Sequence, residues 1–276
     1  MSRRVIAFVD HEIGYRLLDK IISTETILGV ELVAVVTTAD NGMMWWPDVS
    51  GLCRKNRIPL YKYHEPFNDT LDYANIDWYF LISWKHIISS VLISHPRLGV
   101  INLHYSLLPE YRGVYPVNWA IIDGRKKTGV TYHLIGEKID DGQIICQKET
   151  SISLSDTARS LQLRLDDIAY ELFDEMVDWA MHLSIQPDTF VHPKKNQTSY
   201  KSRSEFIESN ELNLNRTYRA IDLLNLLRGK TFMPDSKNLY VIDSATGNRI
   251  YISVSLTVGE IKQSPFYNVD TLNVNE

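Results

Sequence analysis

Cysteine is scarce in this chain: only Cys53 and Cys146 occur among its 276 residues, and they stand far apart. That scarcity argues against a disulfide framework and against a cysteine-based structural zinc site. Long apolar runs are missing as well, so no signal peptide and no membrane span is predicted. We therefore expect a protein of the reducing cytoplasm that does not associate with membranes.

An excess of positive charge is also missing. The chain carries 29 Lys and Arg against 34 Asp and Glu, which gives a formal net charge of −5. Such a balance offers no electrostatic reason to bind nucleic acid or an anionic lipid surface. Hydrophobic residues make up 44% of the sequence, which is enough for a sizeable core.

The first half of the sequence alternates between strand and helix patterns. Short apolar runs typical of buried strands occupy residues 5–9, 32–36, 78–82 and 99–104. Between them the pattern predicts a short helix at 47–56, a short strand at 58–63 and a helix at 88–93. This alternation predicts an α/β fold with an open, mostly parallel Rossmann-like sheet and helices on both faces. Ligands bind such sheets at the carboxyl ends of the strands.

The second half begins with a different pattern. Residues 129–135 and 143–147 are predicted to form paired strands joined by a turn at 140–142. A long helix is predicted from Asp156, its expected N-cap, to His182, because apolar residues recur there every three or four positions.

Prolines and a polar run at 184–200 interrupt this periodicity and predict a domain boundary. We expect a catalytic domain at residues 1–190 and a small C-terminal domain at 191–276. The small domain is predicted to contain a helix at 215–228, stopped by Gly229, and a hairpin between 239–243 and 250–256. That hairpin could offer a surface for a homodimer.

Two polar side chains end the fourth buried strand. Asn102 and His104 are two positions apart, so they project from the same face. An amide and an imidazole held side by side could stabilise an oxyanion, and the imidazole could also move a proton. A hydrogen-bonded pair that merely closes the strand would be an equally good explanation. In the predicted turn at 140–142, Asp140 and Gly142 are ordinary turn residues. Asp140 gains a chemical role only if it lies beside His104.

Four motifs, taken in order, resemble the folate-dependent formyltransferase family. They are Asn102-Leu103-His104, the stretch 107–113 that ends in Tyr111-Arg112-Gly113, Thr128-Gly129-Val130-Thr131, and Ile139-Asp140-Asp141-Gly142. The resemblance extends over roughly residues 5–147 and is specific as an ordered set. It implies that Asn102, His104 and Asp140 are catalytic, whereas Asp141 takes a variable neighbouring position.

The resemblance also implies the chemistry and the ligands. Members of the family move a formyl group from N10-formyltetrahydrofolate to a primary amine through a tetrahedral oxyanion. Asn102 and protonated His104 would stabilise that charge, and Asp140 would support His104 and help to carry the proton. No metal is required, and no metal-ligand spacing is present.

By the same resemblance, two segments would line the folate pocket, mainly through backbone groups. They are Ser83-Trp84-Lys85-His86-Ile87 and Ile135-Gly136-Glu137. His86 and His133 match no catalytic position and are expected to be structural or solvent-facing. The Met43-Met44-Trp45-Trp46-Pro47 cluster could stack a nucleobase or act as a lid, although core packing explains it equally well.

Within the family, the nucleotide-sugar branch resembles this chain most, because the stretch 214–224 is similar to that branch. Residues 201–276 contain nine basic and nine acidic residues, a poor balance for binding tRNA. The expected acceptor is therefore a dTDP-linked 4-amino-4,6-dideoxyhexose, most simply dTDP-4-amino-4,6-dideoxyglucose, which would feed surface polysaccharide (O-antigen) assembly. Its expected contacts are Tyr111, Arg112 and Gly113, with Arg216 at a helix N-terminus as a diphosphate site.

Several alternatives remain open at this point. The acceptor could be the 3-amino sugar isomer, methionyl-tRNA or glycinamide ribonucleotide. A folate hydrolase would discard the formyl group to water and need no amine pocket. A folate- or nucleotide-binding module could retain the fold without any catalysis.

Overall fold

Seven strands form the central sheet. The computed structural model describes residues 2–38, 46–63, 75–182, 200–232 and 238–259. The strands of the sheet are β1 (Arg3–Val9), β2 (Val30–Thr37), β3 (Leu60–Lys62), β4 (Trp78–Ile82), β5 (Gly99–His104), β7 (Lys127–Leu134) and β8 (Ile144–Ser151). Their order across the sheet is β3-β2-β1-β4-β5-β7-β8. Strands β1 to β5 run parallel, and β7 and β8 are antiparallel to their neighbours, so the predicted fold class is confirmed.

Helices cover the sheet because its central strands are apolar on both faces. Every residue of β4 is buried, and β1 is buried from Val5 onward. Side chains on β1 alternate between two core clusters: Val5, Ala7 and Val9 face the larger one, and Ile6 and Phe8 face the smaller one. On the larger side, α1 (His11–Leu28) packs against α5 (Ala158–His182).

The remaining elements are short. They are α2 (Ser50–Asn56), α3 (Ser90–Ile93), β6 (Arg112–Gly113), α4 (Pro116–Ile122), β9 (Tyr200–Lys201), α6 (Arg203–Glu208), α7 (Ala220–Lys230), β10 (Tyr240–Ile242) and β11 (Arg249–Tyr251). The predicted C-terminal hairpin is present as the antiparallel pair β10–β11. Within the described parts of the chain, every helix is too short or too polar to traverse a lipid bilayer. The predicted domain boundary and most of the 43–47 cluster lie outside the described residues.

The N-terminal cap of α5 differs from the prediction. The helix begins at Ala158, and the Ser160 N–H donates to Thr157 Oγ1 at 3.3 Å, so Thr157 rather than Asp156 caps it. Asp156 instead accepts the Ser153 N–H at 2.7 Å and forms an ion pair with Arg164 at 2.6 Å. A carboxylate that already has these partners is not free to cap the helix.

The last helix also starts and ends elsewhere than predicted. It begins at Ala220 rather than 215, because the Asn215 N–H donates to Asn213 Oδ1 and closes a local turn at 2.9 Å. It continues through Gly229, the predicted stop, to Lys230. A Cβ on Gly229 would lie 2.6 Å from Ile122 Cγ1, so the glycine serves close packing against α4 rather than helix termination.

This packing leads to a stability prediction. Gly229→Ala should destabilise the protein by about 1–3 kcal/mol, because the added methyl group overpacks the α4–α7 contact. Gly51→Ala is the matched control: nothing lies within 4 Å of its Cβ position in α2, so helix propensity should stabilise it by about 0.4–1 kcal/mol. Urea denaturation measures both changes. Equal stability of the two variants would contradict the close α4–α7 packing.

Candidate active site

Strand β5 presents the first two predicted catalytic side chains at its carboxyl end. Asn102 pairs in register with Leu81 of β4 on one side and with His133 of β7 on the other. His104, two residues further, is 6% exposed. The strand alternation therefore places the amide and the imidazole on one face, next to β7.

Asp140 comes back to this face from the loop that follows β7. Its carboxylate accepts the Gly113 N–H at 2.8 Å and lies 3.6 Å from His104 Nδ1. The other oxygen lies 3.6 Å from His133 Nε2 and accepts from Asn102 Nδ2 at 3.4 Å. The structure thus brings the three predicted catalytic side chains together in one cluster.

Glycine makes this return of the chain possible. A Cβ on Gly142 would fall only 1.6 Å from the Leu134 carbonyl oxygen, so no other residue fits there without moving the backbone. Asp140 itself has a φ of 49°, in the left-handed region that aspartate tolerates. The Asp-Asp-Gly turn therefore sets the position of the carboxylate as well as reversing the chain.

The charge state of the cluster follows from its partners. Burial opposes ionisation of Asp140, but the positive charge that His104 and His133 carry when protonated, together with the Gly113 N–H, outweighs it and holds the carboxyl pKa below its usual value. Burial lowers the pKa of His104, and the nearby Asp140 only partly offsets this effect. His104 is therefore neutral near pH 7, which differs from the protonated ring expected from the sequence, because desolvation outweighs the single carboxylate.

Hydrogen bonds assign the proton on each imidazole. His104 Nε2 lies 2.9 Å from the Tyr111 carbonyl, which can only accept, so Nε2 carries the proton and Nδ1 faces Asp140 without one. His133 Nδ1 donates in the same way to the Leu134 carbonyl at 2.8 Å. Its Nε2 is then free to accept the Asn102 amide at 3.1 Å.

His133 is a site residue that the sequence reasoning missed. Of the two roles expected for it, structural or solvent-facing, burial excludes the second: it is fully buried and contacts both Asn102 and Asp140. The only available signal was its position on β7, two residues after Thr131 on the same face. Its place opposite Asn102 depends on the pairing register of β5 and β7, which the sequence does not reveal.

The predicted substrate loop lies against this cluster. Tyr111 contributes its backbone carbonyl, while its ring is buried in the larger core and burial raises the pKa of its hydroxyl to about 12. Arg112 Nη1 forms an ion pair with Asp141, and Gly113 donates its N–H to Asp140. Tyr111 and Gly113 thus contact the predicted catalytic side chains His104 and Asp140 directly, and Arg112 contacts the neighbouring carboxylate of Asp141.

The two predicted folate segments meet on the smaller core cluster. Trp84 and Ile135 both pack against it, and Gly136 lies against Gly142, where a Cβ would be 3.2 Å from the Gly142 Cα. Ser83 has a φ of 54°, and its hydroxyl pairs with His11 Nδ1 at 3.0 Å. Trp84 and Ile135 thus pack against the same core cluster, and Gly136 lies beside the 140–142 turn.

The other members of these segments differ in exposure. Ile87 is 79% exposed, and Lys85 and Glu137 are exposed as well. The His86 ring lies 4.5 Å from that of Tyr63, consistent with a packing role.

Arg216 lies elsewhere than predicted. Because α7 begins at Ala220, Arg216 stands four residues before the helix and contributes nothing at its N-terminus. Its guanidinium lies 5.3 Å from the Tyr218 ring centroid, and Arg219 occupies the N-cap position. The helix-terminal diphosphate site predicted at Arg216 is therefore wrong.

Across the described ranges, no group of three or more His, Cys, Asp or Glu residues could hold a metal ion.

Two protein-family models match parts of this chain. A formyl transferase family model matches residues 47–177, and a model of the N-formyltransferase dimerization C-terminal domain matches residues 205–258. Methionyl-tRNA formyltransferase from Thermodesulfovibrio yellowstonii is 31% identical over 238 residues, which cover 83% of this chain and 74% of that protein. The chain belongs to the formyl transferase family.

A second relative is much longer than this chain. The bifunctional polymyxin resistance protein ArnA of Wigglesworthia glossinidia brevipalpis is 37% identical over 170 residues. That match covers 59% of this chain but only 25% of ArnA.

Solved structures of sugar N-formyltransferases have the same fold. The enzyme from Shewanella sp. FDAARGOS_354 superimposes with a TM-score of 0.74 at 22% identity, covering 94% of this chain and 99% of that one. The N-formyltransferase from Helicobacter canadensis, solved with folinic acid and dTDP-3-aminofucose, gives a TM-score of 0.66 at 22% identity. The match covers 83% of this chain and 80% of that one.

The charge state of His104 leads to a prediction about stability. Its pKa is lowered in the folded protein, whereas an unfolded histidine titrates near about 6.5, so the unfolded chain takes up the proton first as the pH falls. The free energy of unfolding should therefore fall more steeply between pH 7.5 and 5.5 in the wild type than in His104→Asn.

Urea denaturation at the two pH values measures both slopes. Gly51→Ala, which alters no titratable group, should keep the wild-type slope. An identical slope in His104→Asn would show that His104 is not buried in its neutral form.

Proposed function

We propose that this protein transfers a formyl group from N10-formyltetrahydrofolate to the primary amine of a nucleotide-linked amino sugar. The observation that carries the proposal is the convergence of Asn102, His104 and Asp140 at the carboxyl end of β5 in a chain of the formyl transferase family. In an open parallel sheet, this edge is where substrates bind.

Each of the three side chains suits one step of amine formylation. The Asn102 amide is oriented by one N–H on His133, and its second N–H can leave the long 3.4 Å contact with Asp140 to donate to the formyl oxygen as that oxygen becomes negative. The neutral His104 can accept a proton from the attacking amine at Nδ1, the nitrogen that faces Asp140. The ionised Asp140 then stabilises the imidazolium until the proton passes to the departing nitrogen.

The residues present fit a folate co-substrate. Trp84 of the first segment and Ile135 of the second pack against the same core cluster, and Gly136 lies beside the 140–142 turn, so backbone groups of these segments would hold the pteridine ring. Trp84 Nε1 is buried without a hydrogen-bond partner, so this side of the pocket has an N–H donor available for the folate. We propose that Ser83, Trp84, Lys85, His86, Ile87, Ile135, Gly136 and Glu137 line the pocket.

An amino sugar is favoured over tRNA as the acceptor. The C-terminal part after residue 200 has balanced charge, and its described elements are short: β9, α6, α7 and the β10–β11 hairpin. The similarity in fold to sugar N-formyltransferases supports the same choice. We propose a dTDP-linked amino-dideoxyhexose, with dTDP-4-amino-4,6-dideoxyglucose first and the 3-amino isomer second, and surface polysaccharide (O-antigen) assembly as its use.

Partners and organisation are part of the same proposal. The match to a dimerization domain at residues 205–258 supports a homodimer, and the hairpin exposes Ile242, Ile250 and Tyr251 for it. We place the division between the two domains near residue 190 and the protein in the cytoplasm. No role for a metal, nucleic acid or membrane is proposed.

A transfer assay tests the function. The protein is incubated with N10-formyltetrahydrofolate, with and without dTDP-4-amino and dTDP-3-amino sugars, and tetrahydrofolate release is followed. Release that requires an amino sugar is the expected result, because the amine is the nucleophile. Release without any sugar would identify a folate hydrolase, and no release with any sugar, glycinamide ribonucleotide or methionyl-tRNA would leave a binding module.

Substitutions test the site. Asn102→Ala and His104→Asn should each lower turnover by about 10²-fold or more, because each removes a group that acts in the transition state. His182→Asn, at the exposed end of α5, is the matched control and should keep the wild-type rate. Circular dichroism checks the fold of each variant. Turnover near the wild-type value in either site variant would refute the assignment.

A further inference from the structure

A lysine is completely buried at the end of α7. Lys230 has no exposed surface, and burial lowers its pKa to about 7. Removing an ammonium group from water costs several kcal/mol unless hydrogen bonds replace its hydration. Its Nζ donates to the Phe206 carbonyl at 2.6 Å, to Ser209 Oγ at 2.7 Å and to Asn210 Oδ1 at 2.8 Å. All three acceptors belong to the end of α6 and the turn after it, so the lysine holds that turn.

The same turn carries an aromatic contact toward the 111–115 loop, which precedes α4. Lys230 Nζ lies 3.4 Å from the centroid of the Phe206 ring, which stacks on Tyr115 at 4.2 Å. Phe206 also meets the edge of Trp119 in α4 at 5.9 Å. Lys230 thus restrains Phe206, and Phe206 packs on the residue directly before α4.

Strand β9, just before α6, pairs with the 111–115 loop itself. Strand β9 runs parallel to β6, and the Val114 N–H donates to the Lys201 carbonyl at 3.1 Å. The approach is close: a Cβ on Gly113 would lie 2.3 Å from that carbonyl oxygen. Gly113, with a φ of 95°, is therefore the residue that lets β9 lie against the loop.

The chain of contacts ends at the proposed catalytic carboxylate. The Gly113 N–H, held in place by this pairing, donates to Asp140 Oδ2 at 2.8 Å and helps to keep the carboxyl pKa low. The C-terminal segment from β9 to Lys230 thus influences the position of Asp140 through Gly113 rather than by direct contact.

We propose that Lys230 is a positioning residue for the reaction: by fixing the 206–210 turn it seats β9 on β6 and so aligns the Gly113 amide with Asp140. The kinetic side of this inference rests on the proposed formyl transfer. The structural side, the link from Lys230 to the 111–115 loop, does not.

Two buried cations on the same helix permit a matched test. Arg228 is 3% exposed but points elsewhere, donating to the carbonyls of Ser153 at 2.7 Å and Asp156 at 3.0 Å. Lys230→Met and Arg228→Met each remove one buried cation from α7. Amide hydrogen exchange of the 111–115 segment and the kinetic constants for formyl transfer are measured for both, together with the melting temperature.

Lys230→Met should speed amide exchange in residues 111–115 and lower kcat by about 10–100-fold with little change in KM, because misplacement acts on the transition state more than on binding. Arg228→Met should leave the exchange rate in 111–115 and kcat close to those of the wild type, even if its melting temperature falls as far as that of Lys230→Met. Unchanged exchange and kcat in Lys230→Met, or equal changes in both variants, would overturn the proposal.

A milder variant covers the case in which Lys230→Met does not fold. Asn210→Ala removes only one of the three acceptors and should shift exchange and kcat in the same direction by a smaller factor; no shift in it would overturn the proposal. If the wild type transfers no formyl group, the proposed function fails while amide exchange still decides whether Lys230 positions the loop.

Discussion

The buried carboxylate of Asp140 is the constraint around which this site is organised. A negative charge taken out of water must be stabilised by nearby positive or hydrogen-bonding groups. Here the two hydrogen-bond donors come from separate segments: the Gly113 N–H from β6 and the Asn102 amide from β5. His104 of β5 and His133 of β7 each lie 3.6 Å from the carboxylate. Keeping the carboxylate ionised therefore requires β5 and β6 to be in place together.

The need to stabilise this buried carboxylate explains three residues whose roles are not evident when each is considered alone. Gly142 allows the 140–142 turn to pass against the Leu134 carbonyl, and Gly113 allows β9 to lie against the 111–115 loop. His133 fixes the orientation of the Asn102 amide, since its own Nδ1 is committed to the Leu134 carbonyl. Local backbone conformation, sheet register and packing of the C-terminal segment thus converge on one hydrogen-bonded group.

Much of the fold was predictable because it depends on local patterns. Runs such as 78–82 are apolar at every position, which favours a strand covered on both faces, and the structure confirms this strand as β4. The errors occurred where one local signal competed with a tertiary contact. Asp156 resembles a helix cap but pairs with Arg164, and Gly229 resembles a helix stop but serves the contact with α4.

The sequence by itself determined that Asn102 and His104 share a face, because the alternation of side chains along a strand needs no knowledge of neighbours. It also determined the family, since the motifs are contiguous stretches of chain. Only the tertiary structure decided that Asp140 meets His104, that His133 lies opposite Asn102, and that Lys230 is joined through β9 to the 111–115 loop. These contacts join residues far apart in the chain, and they depend on strand register and on how closely the backbones approach, which no local pattern specifies.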